Sequence, residues 1–322
     1  MTIDFTNDLK FGKATPIKRI KKLGTIKIDC VETTPVVWED RLIRFEWVRN
    51  KQWSSQGVIK RDYGYYAFFD METEEEVGAS FAIDHAFGAC YAENGTMYVI
   101  GVRGSGGGNI LDLFWSEDLV NWQEKEILRF DEDVNIYNTS ICKAEENEYA
   151  LAIEIGGKNP MVGKNPFTII FAKSDNLFEW NVLPADTHVF SLDRYTACPS
   201  IRYYDGYYYM VYLEMLPALR WTPYIVRTKD FEMFEMGLIN PFMIFDNDDK
   251  LMPHPERFSD FEKERIYNAV DCNNSDVDFC DYNGKTVILY SWGNQFGVEF
   301  LALAEYDGTL EELLTSFFPK QD

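Results

Sequence analysis

A chain of 322 residues with 46% hydrophobic and 16% aromatic content can build a sizeable core, which excludes a disordered chain. Its formal net charge of −22 repels phosphate backbones and anionic lipid, which argues against nucleic-acid and membrane partners. No run approaches the roughly eighteen apolar residues that a membrane span needs, and none of the six cysteines forms a Cys-x-x-Cys pair.

The first segment, "MTIDFTNDLKFGK", lacks a basic stretch followed by an apolar one, so no signal peptide is read and a cytoplasmic location with reduced cysteines is expected. Five hairpins then follow in chain order. They are "PVVWEDRLIRFEWV" (35–48), "GACYAENGTMYVIGV" (88–102), "TSICKAEENEYALAIEI" (139–155), "CPSIRYYDGYYYMVYLE" (198–214) and "DVDFCDYNGKTVILYSW" (276–292). Each has a strand, a tight turn and a second strand rich in β-branched and aromatic residues. Asn-Gly and Asp-Gly between such runs are strong hairpin signals. A third strand follows each time: "YYAFFDMET" (65–73), "DLFWSED" (112–118), "IIFAKSD" (169–175), "YIVRTKD" (224–230) and "FLALAEYDG" (300–308). The recurring Ser/Thr-x-Asp turn and the aromatic after it cap the strand and pack back on the unit, so the motif marks fold rather than catalysis.

Repeats at periods near fifty residues predict a propeller. The expectation is all-β: a single five-bladed β-propeller with four-stranded blades. The blades fall near 30–80, 81–130, 131–186, 187–245 and 270–315, with an insertion at 246–269. Within that insertion "HPERFSDFEKERIYNAV" (254–270) is charged and helix-compatible.

On this architecture the first strand of each blade begins, and the second ends, at one mouth of the central channel. Function is expected there. The strand-one starts read Glu32, Asp84 with His85, Asn138, Arg194-Tyr195-Thr196, and Asp276 with Asp278. The strand-two ends read Glu46 and Arg49, Arg103, Glu154, Glu214, and Trp292 with Gln295. Charges on otherwise apolar strands are costly unless paired or used. Several carboxyl groups and a Trp in a concave mouth suit glycoside hydrolysis, which needs one carboxylic acid to protonate the leaving oxygen and one carboxylate to activate water or attack. Trp292 offers a stacking face for a sugar ring. Arg49, Arg103 and Arg194 suggest an anionic group in the substrate; His85, Asn138 and Gln295 add hydrogen-bonding groups.

Other signals carry less. "GVRGSGGGNI" (101–110) lacks the Lys of a phosphate loop and reads as a rim loop. His85, His188 and His254 lack metal spacing, so no His-ligated metal is expected. Cys90, Cys142 and Cys280 hold equivalent strand positions and read as small core residues. "DNDDK" (246–250) lacks calcium-loop spacing. No cofactor is expected; a structural cation in the channel is compatible with the fold.

The layout of residues 30–310, and "CPSIRYYDGYYYMVYLE" above all, resembles the five-bladed propeller glycosidases typified by glycoside hydrolase family 43 and its arabinofuranosidase, xylosidase, invertase and mannoside phosphorylase relatives. The ending "YSWGNQFGVEFLALAEYDGTL" (290–310) is similar to a bacterial branch of that superfamily. The resemblance implies an Asp base in blade one, an Asp modulator in blade three and a Glu acid before a Pro in blade four. Here those slots read Glu32, Asn138 and Ala197. Glu214 is therefore expected as general acid and Glu32 as base, with Glu154 or Asp276 tuning them. The implied activity is glycoside hydrolysis of a terminal sugar or short oligosaccharide. A glycoside phosphorylase and a non-catalytic carbohydrate-binding propeller are the alternatives.

Overall fold

The computed structural model describes residues 20–54, 57–158, 162 and 165–319; for residues 50–54 and 57–63 it describes the backbone path alone. The N-terminal "MTIDFTNDLKFGK" segment lies outside the described residues.

β1 (Lys21–Ile28) opens the described chain. β2 (Thr33–Trp38), β3 (Arg41–Ser54), β4 (Gly57–Asp70) and β5 (Glu76–Phe81) form a four-stranded antiparallel meander. β6 (His85–Glu93), β7 (Thr96–Arg103), β8 (Ile110–Ser116) and β9 (Gln123–Arg129) form the next. β10 (Val134–Lys143), β11 (Tyr149–Gly157), β12 (Phe167–Ser174) and β13 (Asn181–Val182) repeat it, with the short β14 (Val189–Phe190) also paired to β12. The largest sheet holds two further meanders. One is β15 (Thr196–Tyr204), β16 (Tyr207–Leu216), β17 (Arg220–Thr228) and β18 (Phe234–Met236). The other is β19 (Asn273–Tyr282), β20 (Lys285–Gly293) and β21 (Glu299–Tyr306), with β1 as its outer strand. A single parallel pair, Trp221↔Asn273, joins them. Four-stranded sheets stacked face to face make this a β-propeller fold.

The hairpin turns explain themselves in backbone angles. Both central residues have positive φ at Glu39-Asp40 (47° and 62°), Asn94-Gly95 (50° and 75°), Asp205-Gly206 (49° and 76°) and Asn283-Gly284 (51° and 77°). That is the turn whose twist matches paired strands, and Asn, Asp and Gly tolerate it best. The Ser/Thr-x-Asp motif behaves as read. Ser116 accepts the N–H of Asp118, and Asp118 Oδ1 accepts those of Val120 and Asn121. Thr228 and Asp230 repeat this with Glu232 and Met233; Ser174 does so with Asn176 in place of the Asp. The residue that follows, Leu119, Leu177 or Phe231, is buried, and Trp122 and Trp180 cap the carbonyls of the two leucines.

The core lies between neighbouring sheets. Phe45, Tyr66, Phe68, Val99 and Phe114 fill the first gap, and Ile100, Val102, Leu113, Leu151 and Ile153 the second. Alternate residues of one strand therefore face opposite neighbours, as buried strands must. No helix among the described residues is long and apolar enough to cross a membrane.

The segment between β18 and β19 holds two 3₁₀ turns, Asn247–Lys250 and Pro255–Arg257, and helix α1 (Asp260–Asn268), whose Ser259 and Glu262 form a reciprocal cap. A second short helix, α2 (Leu310–Thr315), follows β21. Asp249 ties the segment to the closing sheet. It is fully buried, and Lys22 on β1 reaches it at 2.8 Å. The Tyr290 hydroxyl donates to it at 2.7 Å, Asn274 Nδ2 at 3.2 Å and the Asp246 N–H at 2.9 Å. A second carboxyl group, Asp271, abuts it. Burial and the Asp249 charge push Asp271 up to about 8, and its buried Oδ2 finds no donor. It must carry the proton and donate to Asp249. A carboxyl group raised from 3.8 to about 8 contributes stability that is complete below the lower value and lost as pH climbs through the higher. The Tm should accordingly fall between pH 5 and pH 9. Asp271→Asn should flatten that slope and raise the pH 9 Tm by about 3 °C or more, measurable by calorimetry; a slope equal to wild type would contradict the shared proton.

Candidate active site

One backbone device recurs on the first strands. Glu32, Phe87, Cys198 and Asp276 have φ of 47°, 46°, 48° and 49°. Such angles are uncommon for residues with a side chain. Phe87, Cys198 and Asp276 lie at register breaks within β6, β15 and β19; β10 breaks register at the same place, between Ile136 and Thr139, where Asn138 lies. Glu32 stands directly before β2. A β-bulge adds one residue to a strand and re-aims it. Repeated around a propeller, it turns one side chain per unit out of the blade packing and toward a common centre.

At that centre the carboxyl groups meet. Glu154, near the end of β11, is 3% exposed. Its Oε2 accepts the N–H of Cys198 at 2.8 Å and Asn138 Nδ2 at 3.0 Å. Burial raises Glu154 to about 7 against those two hydrogen bonds, and the neighbouring charge of Asp276 adds to the rise. Asp276 is itself raised, first by burial and then by Glu299, although Ser275 (2.6 Å), the Cys198 thiol and Arg49 oppose it. Burial and the charges of Asp276, Glu154 and Glu32 push the Cys198 thiol well up, so it stays protonated and donates. Arg49, at the inner end of β3, faces Glu299 at 3.4 Å and Glu32 at 3.7 Å. Glu32, Glu299 and Asp276 thus act on one guanidinium, Glu154 adjoins them through Asp276, and burial raises both Glu154 and Asp276.

Aromatic rings wall this cluster. Trp47 meets Phe87 at 4.8 Å, Phe87 meets Tyr137 at 5.4 Å, Tyr137 meets Phe167 at 5.1 Å, and Phe167 meets Tyr195 at 5.3 Å. The last three contacts are edge-to-face, the arrangement ring quadrupoles favour. Tyr195 packs against the cluster that holds Trp221, which meets Phe296. Arg49 lies 5.0 Å over the Trp47 ring.

The structure therefore brings together Glu32, Arg49, Asn138, Glu154 and Asp276 from the expected set. Gln295 joins them indirectly: its Nε2 donates to Asn273 (3.1 Å) and Ser275 (3.2 Å), and Ser275 holds Asp276. Five expected residues stand elsewhere: His85, Arg103, Arg194, Glu214 and Trp292. His85 Nε2 lies 2.9 Å from Asp112, and Arg103 donates to both oxygens of the same carboxylate at 2.7 Å and 2.5 Å. This group is packed against Tyr66 and Phe114 between the first two sheets. His85, Asp112 and Glu124 do place ligand atoms within 4.8 Å of one another, but a cation there would have to displace Arg103. Glu214 accepts the Tyr212 hydroxyl at 2.9 Å and faces Arg194 at 3.6 Å, on the strand face it shares with Tyr212. Trp292 offers no stacking face: it is fully buried, stacks on Phe300 at 4.5 Å and donates its indole N–H to Thr25 at 2.9 Å. Its position at the end of β20 is right, but its side chain points into blade packing. The residues missed were Cys198, Glu299, Phe87 and the aromatic wall.

No family model and no curated protein matches the sequence. Solved structures do. A glycoside hydrolase aligns over 94% of this chain and 96% of its own, with a TM-score of 0.57 and 13% identity. The chain shares that protein's fold. An alpha-L-arabinofuranosidase from Clostridium thermocellum aligns over 80% and 81%, with a TM-score of 0.52 and 11% identity. A structure from the GH130 family, described as mannoside phosphorylases that include glycoside hydrolases targeting beta-1,2 mannosidic linkages in Candida mannan, aligns over 89% and 93%, with a TM-score of 0.55 and 13% identity. At such identities the likeness is one of fold.

Proposed function

We propose that this protein is a glycoside hydrolase acting on an uncharged terminal sugar or short oligosaccharide at the mouth of a five-bladed propeller. The five blades are the four-stranded meanders, with the two joined at Trp221↔Asn273 taken separately. The observation that carries the reading is Glu154: a buried carboxyl group that keeps its proton up to about 7, beside carboxylates gathered on Arg49. A glycosidic oxygen is a poor leaving group and needs such a donor. The role of general acid passes from Glu214, which faces a guanidinium, to Glu154, which faces carboxyl groups and apolar rings. Glu32 on Arg49 serves as the base that takes the proton of water. Burial keeps the proton on Glu154, and Asp276, held by Ser275, raises it further when ionised.

Charge also favours hydrolysis over phosphorolysis and speaks for a neutral substrate over the expected anionic one. Each arginine placed at the mouth by sequence is already engaged: Arg49 by Glu32 and Glu299, Arg103 by Asp112, Arg194 by Glu214. A phosphate or uronate would enter a field of carboxylates in which Arg49, Arg103 and Arg194 are each already paired. Sugar release from a panel of neutral oligosaccharides should therefore proceed equally with and without 10 mM phosphate, taken as roughly a physiological level of competing anion, and yield no sugar 1-phosphate. Phosphate-dependent turnover would replace the hydrolase reading; binding without release would replace both with a lectin.

A further inference from the structure

Phe296 is 70% exposed, yet the loop that carries it is tied down. Asn294 Oδ1 accepts the N–H of Phe296 at 2.9 Å and that of Val298 at 3.3 Å, and the Asn294 N–H donates to the Val298 carbonyl at 3.0 Å. Gln295, at φ 60°, turns the other way and reaches Ser275, whose hydroxyl holds Asp276. One turn thus sends residue 295 into the hydrogen bonds behind a site carboxyl group and residue 296 out to the rim. The Phe296 ring meets Trp221 edge-on, at 5.8 Å and 76°. Tyr195, packed against the cluster that holds Trp221, feels the charges of Glu154 and Asp276. The other rings of the wall are buried or half-buried, so Phe296 is where the wall opens to solvent. A sugar ring presents an apolar C–H face, and an aromatic ring already held in place binds it with little ordering cost.

We infer that Phe296 is the platform for the sugar unit beyond the scissile bond, and hence that the enzyme selects substrates with at least two sugar units. This rests on the glycosidase reading. The test compares wild type, Phe296→Ala and Phe296→Trp on the disaccharide hydrolysed in the panel and on the glycosyl fluoride of its terminal sugar, which has no second ring. Phe296→Ala should raise KM for the disaccharide by about tenfold, the worth of one stacking contact. Its kcat should stay within about twofold, Phe296→Trp should restore KM, and the fluoride should be hydrolysed as by wild type. Equal effects on both substrates, or none on either, would overturn the assignment. If wild type hydrolyses neither substrate, the hydrolase reading fails, and calorimetric binding of the oligosaccharide panel decides on Phe296 separately: tenfold weaker binding in the Ala variant upholds the platform, and unchanged or undetectable binding overturns it.

Discussion

Glu154→Gln is expected to lower turnover of an unactivated disaccharide by about 10²–10⁴-fold, the usual contribution of a positioned acid. The substitution is gentle on the fold. A Gln oxygen can still accept from the Cys198 N–H and Asn138 Nδ2, the two bonds that hold Oε2. What it removes is the proton. An aryl glycoside with a good leaving group needs little protonation and should lose much less. The pH profile gives an independent readout. Glu154 must be protonated to act, so wild-type kcat should fall as pH rises through about 7, the value to which burial and Asp276 bring it. In the Gln variant the residual rate should lose that limb. Equal losses on both substrates, or an unchanged alkaline limb, would remove Glu154 from the role.

The site was legible in the sequence only as far as the register held. Counting back from the hairpin turns found Glu32 and Asp276, because in those units the left-handed residue fell where the count placed it. In the second and fourth units the reading ran on to Asp84-His85 and to Arg194-Tyr195-Thr196, two to four residues past Phe87 and Cys198. Yet these two stand seven residues before Asn94 and Asp205 of their turns, as Glu32 and Asp276 do before Glu39 and Asn283. Chemistry, not distance, hid them: a Phe and a Cys carry no acid-base signal, so the charged residues beyond them stood out. The bulge adds a residue to one strand without changing the turn, so strict alternation does not show that these side chains leave the blade. Trp292 failed for the opposite reason: β20 runs without a break against β19 there, and strict alternation keeps the side chain in the blade. Glu214, a strand-end carboxylate on a face with Tyr212, meets Arg194, a pairing across sequence that spacing does not show.

Much more of the fold was legible, since hairpin turns and caps are local. Asn-Gly and Asp-Gly adopted the left-handed pairs their chemistry favours, and the Ser/Thr-x-Asp turns capped as their side chains allow. Long-range pairing was the part out of reach. "KKLGTIKI" reads as a strand in isolation, but nothing local says that it pairs with β21, almost three hundred residues away.

Asp249→Ala is expected to destabilise the fold by about 3–5 kcal/mol, the cost of removing one partner of a buried ion pair. Besides the Asp271 proton, Asp249 gathers four donors, from β1, β19, β20 and its own turn. Without it, Lys22, whose side chain is 8% exposed, keeps a charge in a place with little water. The Tyr290 hydroxyl and Asn274 lose their acceptor, and the reciprocal cap of the 3₁₀ turn is lost. Asp271 should recover part of the loss. Freed of the neighbouring carboxylate, it can ionise and take up the Lys22 charge, so the double variant Asp249→Ala/Asp271→Asn should be less stable than Asp249→Ala alone. Replacing the pair together, as Lys22→Met/Asp249→Leu, should cost less than Asp249→Ala, because no charge is then left buried. Calorimetry reads all three, and the single variant should lose about 6 °C or more in Tm. Its kcat at low temperature should stay near wild type, since Asp249 touches the site carboxyl groups only through the backbone run Asn273–Asp276. A Tm within about 1 °C of wild type, where less than about half a kcal/mol is at stake, would mean that β1 is held by its ladder to β21 and not by this buried pair.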